Sequence, residues 1–111
     1  MAQPIFTQRT VETEAGLAWV ISFEIPGGIT TPEEFARAVA AQRKLFVPPA
    51  GHGLILDGRG PIWAYAMMVH EGHSSSWIGI HDPRLGMVIV ESHSSSVAVG
   101  AVIPWPEESQ P

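Results

Sequence analysis

The chain has 111 residues, no cysteine, 45% hydrophobic residues and a formal net charge of −5. This length predicts one domain with a core small enough that oligomerisation would help its stability. The missing cysteine excludes disulfides, cysteine zinc sites and a cysteine nucleophile, and fits a cytoplasmic protein. The acidic balance argues against long nucleic acid as a partner, and no apolar run approaches the roughly 20 residues that span a bilayer.

Two strands, PIFTQRTVET and LAWVISFEI, are the first elements predicted, with a turn at EAG between them. Thr31 then caps a helix that begins at Pro32, carries Phe35 and Val39 on its apolar stripe, and ends near VPPAGHG. The run GLILD follows without polar alternation, which is typical of a strand covered on both faces.

A second helix, PIWAYAMMVHEG, begins at Pro61 and is apolar on nearly every side, which predicts deep burial. The strands WIGIHD and MVIVESH come next, joined by a turn at DPRLG, and VAVGAVIPW adds a last strand. The predicted order β-β-α-β-α-β-β-β indicates an α/β class with a mixed sheet whose C-terminal part is linked by hairpins.

The turn GRGPIW joins the end of a buried strand directly to the start of a helix. Free N–H groups at a helix start attract anions, and Gly58 and Gly60 let a ligand approach the backbone. Arg59 adds a forked donor for a phosphate. A tight turn with an exposed arginine explains the same spacing without a ligand, so both interpretations stay open.

The segment VHEGHSSSWIGIHDPRLG collects imidazoles, a carboxylate and a guanidinium beside apolar runs. His70 and His73, three residues apart on a helix, share one face. His81 and Asp82 point to opposite faces of a strand, so only one of them joins a site. His73 with Asp82 suits Mn²⁺, while a turn capped by Asp82 with a solvated Arg84 explains the same residues without a metal.

A further polar pair lies at the end of MVIVESH. Glu91 and His93 are two residues apart and therefore share one face of their strand. Either side chain would face the cleft of Asp82 if the two strands pair as a hairpin around PRLG.

Four motifs occur in order between residues 53 and 96: GRGPIW, a His-x-x-His at a helix end, DPRLG and SHS. Together they resemble the small tetramerising ring nucleases of type III CRISPR systems, which belong to the CRISPR-associated Rossmann-fold superfamily. The resemblance implies one Rossmann-like domain over residues 1–111. It also implies a homodimer that assembles to a tetramer around its ligand.

The same resemblance implies cleavage of cyclic tetra-adenylate, with Mn²⁺ as cofactor, to short linear oligoadenylates. That reaction would switch off the effectors that the messenger activates. Its implied metal ligands are His73 and Asp82, and its implied ligand-binding residues are Gly58, Arg59, Gly60 and Pro61. Its implied catalytic residues are His73, Asp82, His70, Arg84 and His93.

Asp57 departs from what a phosphate site favours, because it places a carboxylate beside the GRGP turn. The net charge of −5 is also unfavourable for a polyanion, so the binding surface has to be local. Two other functions remain open. One is a Mn²⁺-dependent 3′-end exoribonuclease that trims adenylates from short RNA, and the other is a module that binds cyclic oligoadenylate without cutting it. Neither DNA nor a membrane is expected as a partner.

Overall fold

One six-stranded sheet organises the protein in the computed structural model, which describes residues 3–106. Its strands lie side by side in the same order in which they occur along the chain. Two short 3-10 turns, Pro26–Gly28 and Arg43–Phe46, flank the first helix. The strands and helices are β1 (Ile5–Thr13), β2 (Gly16–Glu24), α1 (Pro32–Ala41), β3 (Gly53–Gly58), α2 (Ile62–Glu71), β4 (Trp77–Asp82), β5 (Gly86–Ser92) and β6 (Val102–Ile103).

The sheet is mixed, with three parallel strands at its centre. β2, β3 and β4 run parallel, while β1, β5 and β6 each pair antiparallel with their neighbours. The three parallel strands therefore end at one edge, here called the carboxyl edge, near Glu24, Gly58 and Asp82. They begin at the opposite, amino edge, near Trp77. Because α2 follows β3 and precedes β4, it returns the chain from the carboxyl edge to the amino edge.

Each face of the sheet carries its own apolar core. On the first face α1 and α2 pack over the sheet, and the Phe35 ring meets those of Phe6 and Phe23 edge to face, with centroids 5.9 and 6.1 Å apart. On the second face a cluster around Trp77 and Met87 is covered by the C-terminal segment, not by a helix. The sheet is thus buried on both sides by unlike layers.

The Rossmann-like fold expected from the sequence is wrong. The connections β2–α1–β3 and β3–α2–β4 each advance one strand in the same direction, and both helices pack on one face. A Rossmann-like sheet carries helices on both faces and reverses its strand order at a switch point. Within residues 3–106 there are six strands and only two ten-residue α-helices, so the structure is a strand-rich mixed sheet.

The start of α1 is confirmed by its capping geometry. The Thr31 side chain accepts a hydrogen bond from the Glu34 backbone N–H at 3.1 Å, and Pro32 is the first helical residue. The helix stops at Ala41, earlier than expected, and a 3-10 turn then buries Phe46 completely.

The deep burial expected for α2 is wrong. Only Ala64 and Met68 of this helix are fully buried, and Ile62 is 88% exposed. The helix begins at Ile62, one residue after the predicted start, and rests on the sheet through a single stripe. No helix within residues 3–106 combines the length and the apolar character needed to cross a membrane.

Candidate functional site

The predicted site residues divide between the two edges of the sheet. The GRGP turn, Asp82 and Arg84 lie at the carboxyl edge, where β3 and β4 end. His70 and His73 lie at the end of α2, at the amino edge, and His93 follows β5 there. One chain therefore holds two separate groups of predicted residues.

A cleft of about 600 Å³ lies at the carboxyl edge, between the end of β2 and the GRGP turn. All four residues predicted to bind the ligand line it, and Arg59 is exposed there. Its other wall was not predicted, because the 3-10 turn after β2 carries no residue type that marks a ligand site. The lining comprises Phe23, Glu24, Ile25, Gly28, Gly58, Arg59, Gly60 and Pro61.

The two glycines of the turn are required by packing against β2. A Cβ atom on Gly58 would lie 2.4 Å from the carbonyl oxygen of Phe23, and one on Gly60 would lie 2.8 Å from the Phe23 ring. No side chain fits at the first position without a backbone shift, since real contacts of Cβ are longer. The glycines thus have a structural role in packing, whereas the sequence interpretation explained them by the close approach of a ligand.

Tyr65 of α2 fixes the start of the same turn. Its hydroxyl donates a hydrogen bond to the carbonyl oxygen of Gly58. Burial raises the pKa of the Tyr65 hydroxyl, and the negative charge of Asp57 raises it further. The group therefore stays protonated and remains a donor over the whole physiological range of pH.

The Asp57 carboxylate is turned away from the cleft, so the carboxylate that lines the cleft is that of Glu24. Its Oδ1 lies 2.8 Å from Nδ1 of His81, and its Oδ2 accepts a hydrogen bond from the Ser22 hydroxyl at 3.4 Å. The His81 ring stacks on Trp105 with centroids 3.7 Å apart, on the face opposite the helices. Sequence reasoning passed over this pair, although both residues come just before the end of neighbouring strands.

Asp82 caps the hairpin turn between β4 and β5, as the simpler of the two sequence interpretations stated. Its Oδ1 accepts hydrogen bonds from the backbone N–H groups of Arg84 at 2.8 Å and Leu85 at 3.3 Å. The hydrogen bond from the Arg84 backbone N–H lowers the pKa of Asp82 most, and a hydrogen bond from the Arg84 side chain lowers it further. The Arg84 side chain is 87% exposed, and its guanidinium lies 3.5 Å from the Asp82 carboxylate, so an anion that binds it has to share it with Asp82 or displace this ion pair.

Three histidines and a carboxylate meet at the amino edge and are called the histidine cluster: His70, His73, His93 and Glu91. The His73 Nδ1 lies 2.9 Å from the His70 carbonyl oxygen, and the two rings stack with centroids 6.0 Å apart. The His93 Nε2 lies 3.0 Å from both the His73 carbonyl oxygen and Oε2 of Glu91. Since those oxygens accept, both ring nitrogens donate, which leaves the lone pair of a neutral His73 on Nε2.

Comparison with known proteins places the chain in a family. The family model described as CRISPR-associated protein (Cas_csx3) matches residues 42–104, which extend from the end of α1 through β6. The chain belongs to this CRISPR-associated family. An uncharacterised protein of Aquifex aeolicus (strain VF5) is 51% identical over 53 residues, or 47% of this chain. The match covers 48% of that relative, so the chain spans about half its length.

The metal pair expected in this Cas_csx3 family member is not brought together within one chain. His73 lies before β4 and Asp82 ends it, so the whole strand separates them, about 17 Å at roughly 3.3 Å per residue. Among residues 3–106 no group of three His, Asp or Glu side chains is placed to hold a metal. The donor types suit Mn²⁺, but the geometry of a single chain does not.

Proposed function

We propose that this chain is a ring nuclease of type III CRISPR systems, which cleaves cyclic tetra-adenylate to short linear oligoadenylates. Membership of a CRISPR-associated family supports the biological setting. The observation that carries the proposal is the division of the predicted site between the two edges of the sheet. Each chain offers an anion-binding half at one edge and a proton-transferring half at the other. A complete site then needs two chains.

The assembly implied by this division places the ligand between two dimers. The carboxyl edge of one dimer contacts one side of the ring, and the amino edge of the next dimer contacts the other side. A two-fold dimer presents two copies of each edge, which suits a ring with repeating phosphates. Because the ligand lies within the contact between the dimers, assembly and ligand binding are coupled, and activity should rise more than linearly with protein concentration when the enzyme is dilute.

Binding is assigned to the carboxyl edge. Arg59 lines the cleft, and Arg84 follows the end of the neighbouring strand with an exposed guanidinium that pairs with Asp82 in the ligand-free chain. Two arginines at adjacent strand ends form charge-assisted, forked hydrogen bonds with successive phosphates. This local pair would offset the net charge of −5 at the surface where a polyanion is proposed to bind.

Proton transfer is assigned to the histidine cluster of the facing chain. The 2′-hydroxyl of one ribose attacks the adjacent phosphorus, and the bond from phosphorus to O5′ breaks. Nε2 of His73 accepts the proton of the attacking hydroxyl, because its Nδ1 is held by the His70 carbonyl oxygen. His93 in its protonated form, with its Nε2–H held by Glu91, donates its Nδ1 proton to the departing O5′ and becomes neutral. The products are a 2′,3′-cyclic phosphate and a 5′-hydroxyl.

Dependence on Mn²⁺ stays a prediction, and no step of this mechanism passes through a metal. An ion shared by His73 and Asp82 would have to lie between two chains, where it would neutralise phosphate charge. Turnover measured in chelator and then with added Mn²⁺ tests this directly. Equal turnover in both conditions would show that Mn²⁺ is not required, and the proposed proton transfer by the histidines would remain.

The deciding experiment compares cyclic and linear oligoadenylates as substrates, with and without Mn²⁺. We expect cyclic tetra-adenylate to be cut and a linear tetra-adenylate with a free 3′ end to be cut far more slowly. Trimming of the linear substrate from its 3′ end would identify an exoribonuclease. Binding of the ring without any product would identify a binding module. Either result would overturn the ring-nuclease proposal.

A further inference from the structure

The backbone pairing between β3 and β4 stops before the two strands end. Paired positions run from Leu54–Ile78 to Leu56–Ile80, whereas β3 stays paired with β2 as far as Phe23–Gly58. The last residues of β3 and β4 lead directly into the GRGP turn and the DPRLG turn. The two loops that carry Arg59 and Arg84 are therefore not joined to each other by the backbone ladder.

A side-chain contact lies where the ladder stops. If the register is continued by one residue, Asp57 lies opposite His81. The Oδ1 atom of Asp57 and the Nδ1 atom of His81 are 2.8 Å apart. The two side chains are 30% and 23% exposed, so solvent screens the contact only in part. A carboxylate only accepts hydrogen bonds, so the imidazole donates from Nδ1 and its tautomer is fixed.

Asp57 and His81 each contact a further residue from another part of the fold. The Ser22 hydroxyl of β2 donates to the second carboxylate oxygen of Asp57, and Arg9 of β1 donates to that hydroxyl at 3.3 Å. Trp105 lies flat on the His81 ring, at an interplanar angle of 15°. A network of this kind fixes the rotamers of the pair, so the pair is able to set the position of the loop that each strand enters.

We propose that Asp57 and His81 are positioning residues that hold the GRGP turn and the DPRLG turn in one relative geometry. The inference rests on the proposed function, because it supposes that Arg59 and Arg84 engage one phosphate-bearing ligand together. Asp57 and His81 themselves lie on the face opposite the helices and do not line the cleft. Their effect passes through the loops that begin one residue after each of them.

Two substitutions of His81 separate its hydrogen bond from its stacking. His81→Phe keeps a flat ring on Trp105 and removes the donor to Asp57. His81→Asn removes the ring but places an amide N–H close to the position of Nδ1. We expect the Phe variant to bind cyclic tetra-adenylate about tenfold more weakly, because the two loops then have to be ordered when the ligand binds. The Asn variant should bind nearly as well as the wild type.

Calorimetry on the folded variants measures that affinity, and amide NMR of the ligand-free protein provides an independent readout. The amide signals of Gly58, Gly60 and Arg84 should shift or broaden in His81→Phe and stay close to wild type in His81→Asn. A pair that only stabilises the fold would lower the unfolding midpoint and leave these signals and the affinity unchanged.

The outcomes separate this inference from the proposed function. If the wild type binds the ring and His81→Phe binds it equally well with unchanged amide signals, the positioning inference is wrong and the nuclease proposal stands. Equal losses in the Phe and Asn variants would show that an amide donor to Asp57 does not preserve the geometry, and the Asp57–His81 hydrogen bond would then not be what positions the loops. If the wild type binds no ring but the amide signals respond as expected, the nuclease proposal fails and the positioning of the two loops is supported.

Discussion

The two edges of the sheet are built by different physical means. At the carboxyl edge the GRGP turn is fixed by close packing, since Gly58 and Gly60 press against Phe23 and the Tyr65 hydroxyl holds the turn. At the amino edge the histidines are exposed and are oriented by hydrogen bonds to backbone oxygens. The first edge is rigid and offers donors for an anion, whereas the second offers groups that accept and donate protons.

Under the proposed function, this difference means that neither edge alone would form a complete nuclease site. Phosphate binding requires donors fixed before the ligand arrives, because ordering them afterwards costs free energy. Proton transfer requires imidazoles within hydrogen-bond distance of the reacting oxygens. In one chain these groups are separated by the full length of β4, so we predict a site shared between chains.

The largest effect is expected when the two edges are disabled in different chains. His73→Ala and Arg84→Ala should each reduce cleavage by about 10²–10⁴-fold, because one removes a proton acceptor and the other a phosphate donor. Mixed in equal amounts, the two inactive proteins should regain activity, because about a quarter of the interfaces join an intact carboxyl edge to an intact amino edge. Single-turnover cleavage of cyclic tetra-adenylate measures the recovery.

The control for this mixture places both substitutions in one chain. Mixing that double variant with His73→Ala supplies no intact amino edge, so no activity should return. If the first mixture also stays inactive while both single variants fold and bind the ring, each chain carries a self-contained site. The proposed contact between unlike edges would then be wrong.

Arg59 tests the binding half alone. Arg59→Ala should weaken binding of cyclic tetra-adenylate by about 1.5–3 kcal/mol, roughly tenfold to a hundredfold, through the loss of a charge-assisted phosphate contact. Turnover of the bound complex should change much less, since the histidine cluster is untouched. The affinity of Arg59→Lys, which keeps the charge but loses the forked pair of donors, should lie between those of the wild type and Arg59→Ala. Calorimetry checks the affinity, and unchanged values would place the ring elsewhere.

Gly58 and Gly60 test the claim that packing fixes the carboxyl edge. Gly58→Ala should destabilise the protein by about 1–3 kcal/mol, because its Cβ meets the Phe23 backbone and cannot be accommodated by a side-chain rotation. Gly60→Ala should cost less, since its Cβ meets side-chain atoms of Phe23 and Ile25 and no backbone atom among its nearest contacts. Urea denaturation measures both values. A Gly58→Ala variant as stable as the wild type would show that the turn accommodates the Cβ and that close packing does not fix this edge.

The order of strands and helices could be predicted from the sequence, but the face of the sheet that each helix covers could not. Hydrophobic runs and the Thr31–Pro32 signal predict where strands and helices occur, because those signals are local. Which face a helix covers depends on the direction of each crossover, and no residue in α1 or α2 encodes it. The resemblance therefore led to a Rossmann-like fold, whereas both helices share one face.

For the site, residue types were easier to predict than their distances. The GRGP turn, Arg84 and the histidines stood out because such groups in short loops suit anion binding and proton transfer. The pairing of His73 with Asp82 failed within one chain because proximity in sequence hid the strand between them. The Asp57–His81 contact was missed because it depends on the register of β3 against β4, which only the folded sheet defines.

The smallest expected effect concerns the charge of Asp82 at the carboxyl edge. Its folded pKa is lowered below the ordinary value of 3.8 by hydrogen bonds from Arg84 and Leu85. A lowered pKa means that the ionised carboxylate stabilises the fold above the unfolded pKa, and this contribution is lost as pH falls through the folded pKa. Asp82→Asn keeps an acceptor for the turn and removes the charge.

The wild type should thus be slightly more stable than this variant at pH 7, and the difference in unfolding free energy should shrink below about pH 4. Urea denaturation at pH 7 and at pH 3 measures this difference, and a difference that stays constant would show that the turn does not depend on this charge.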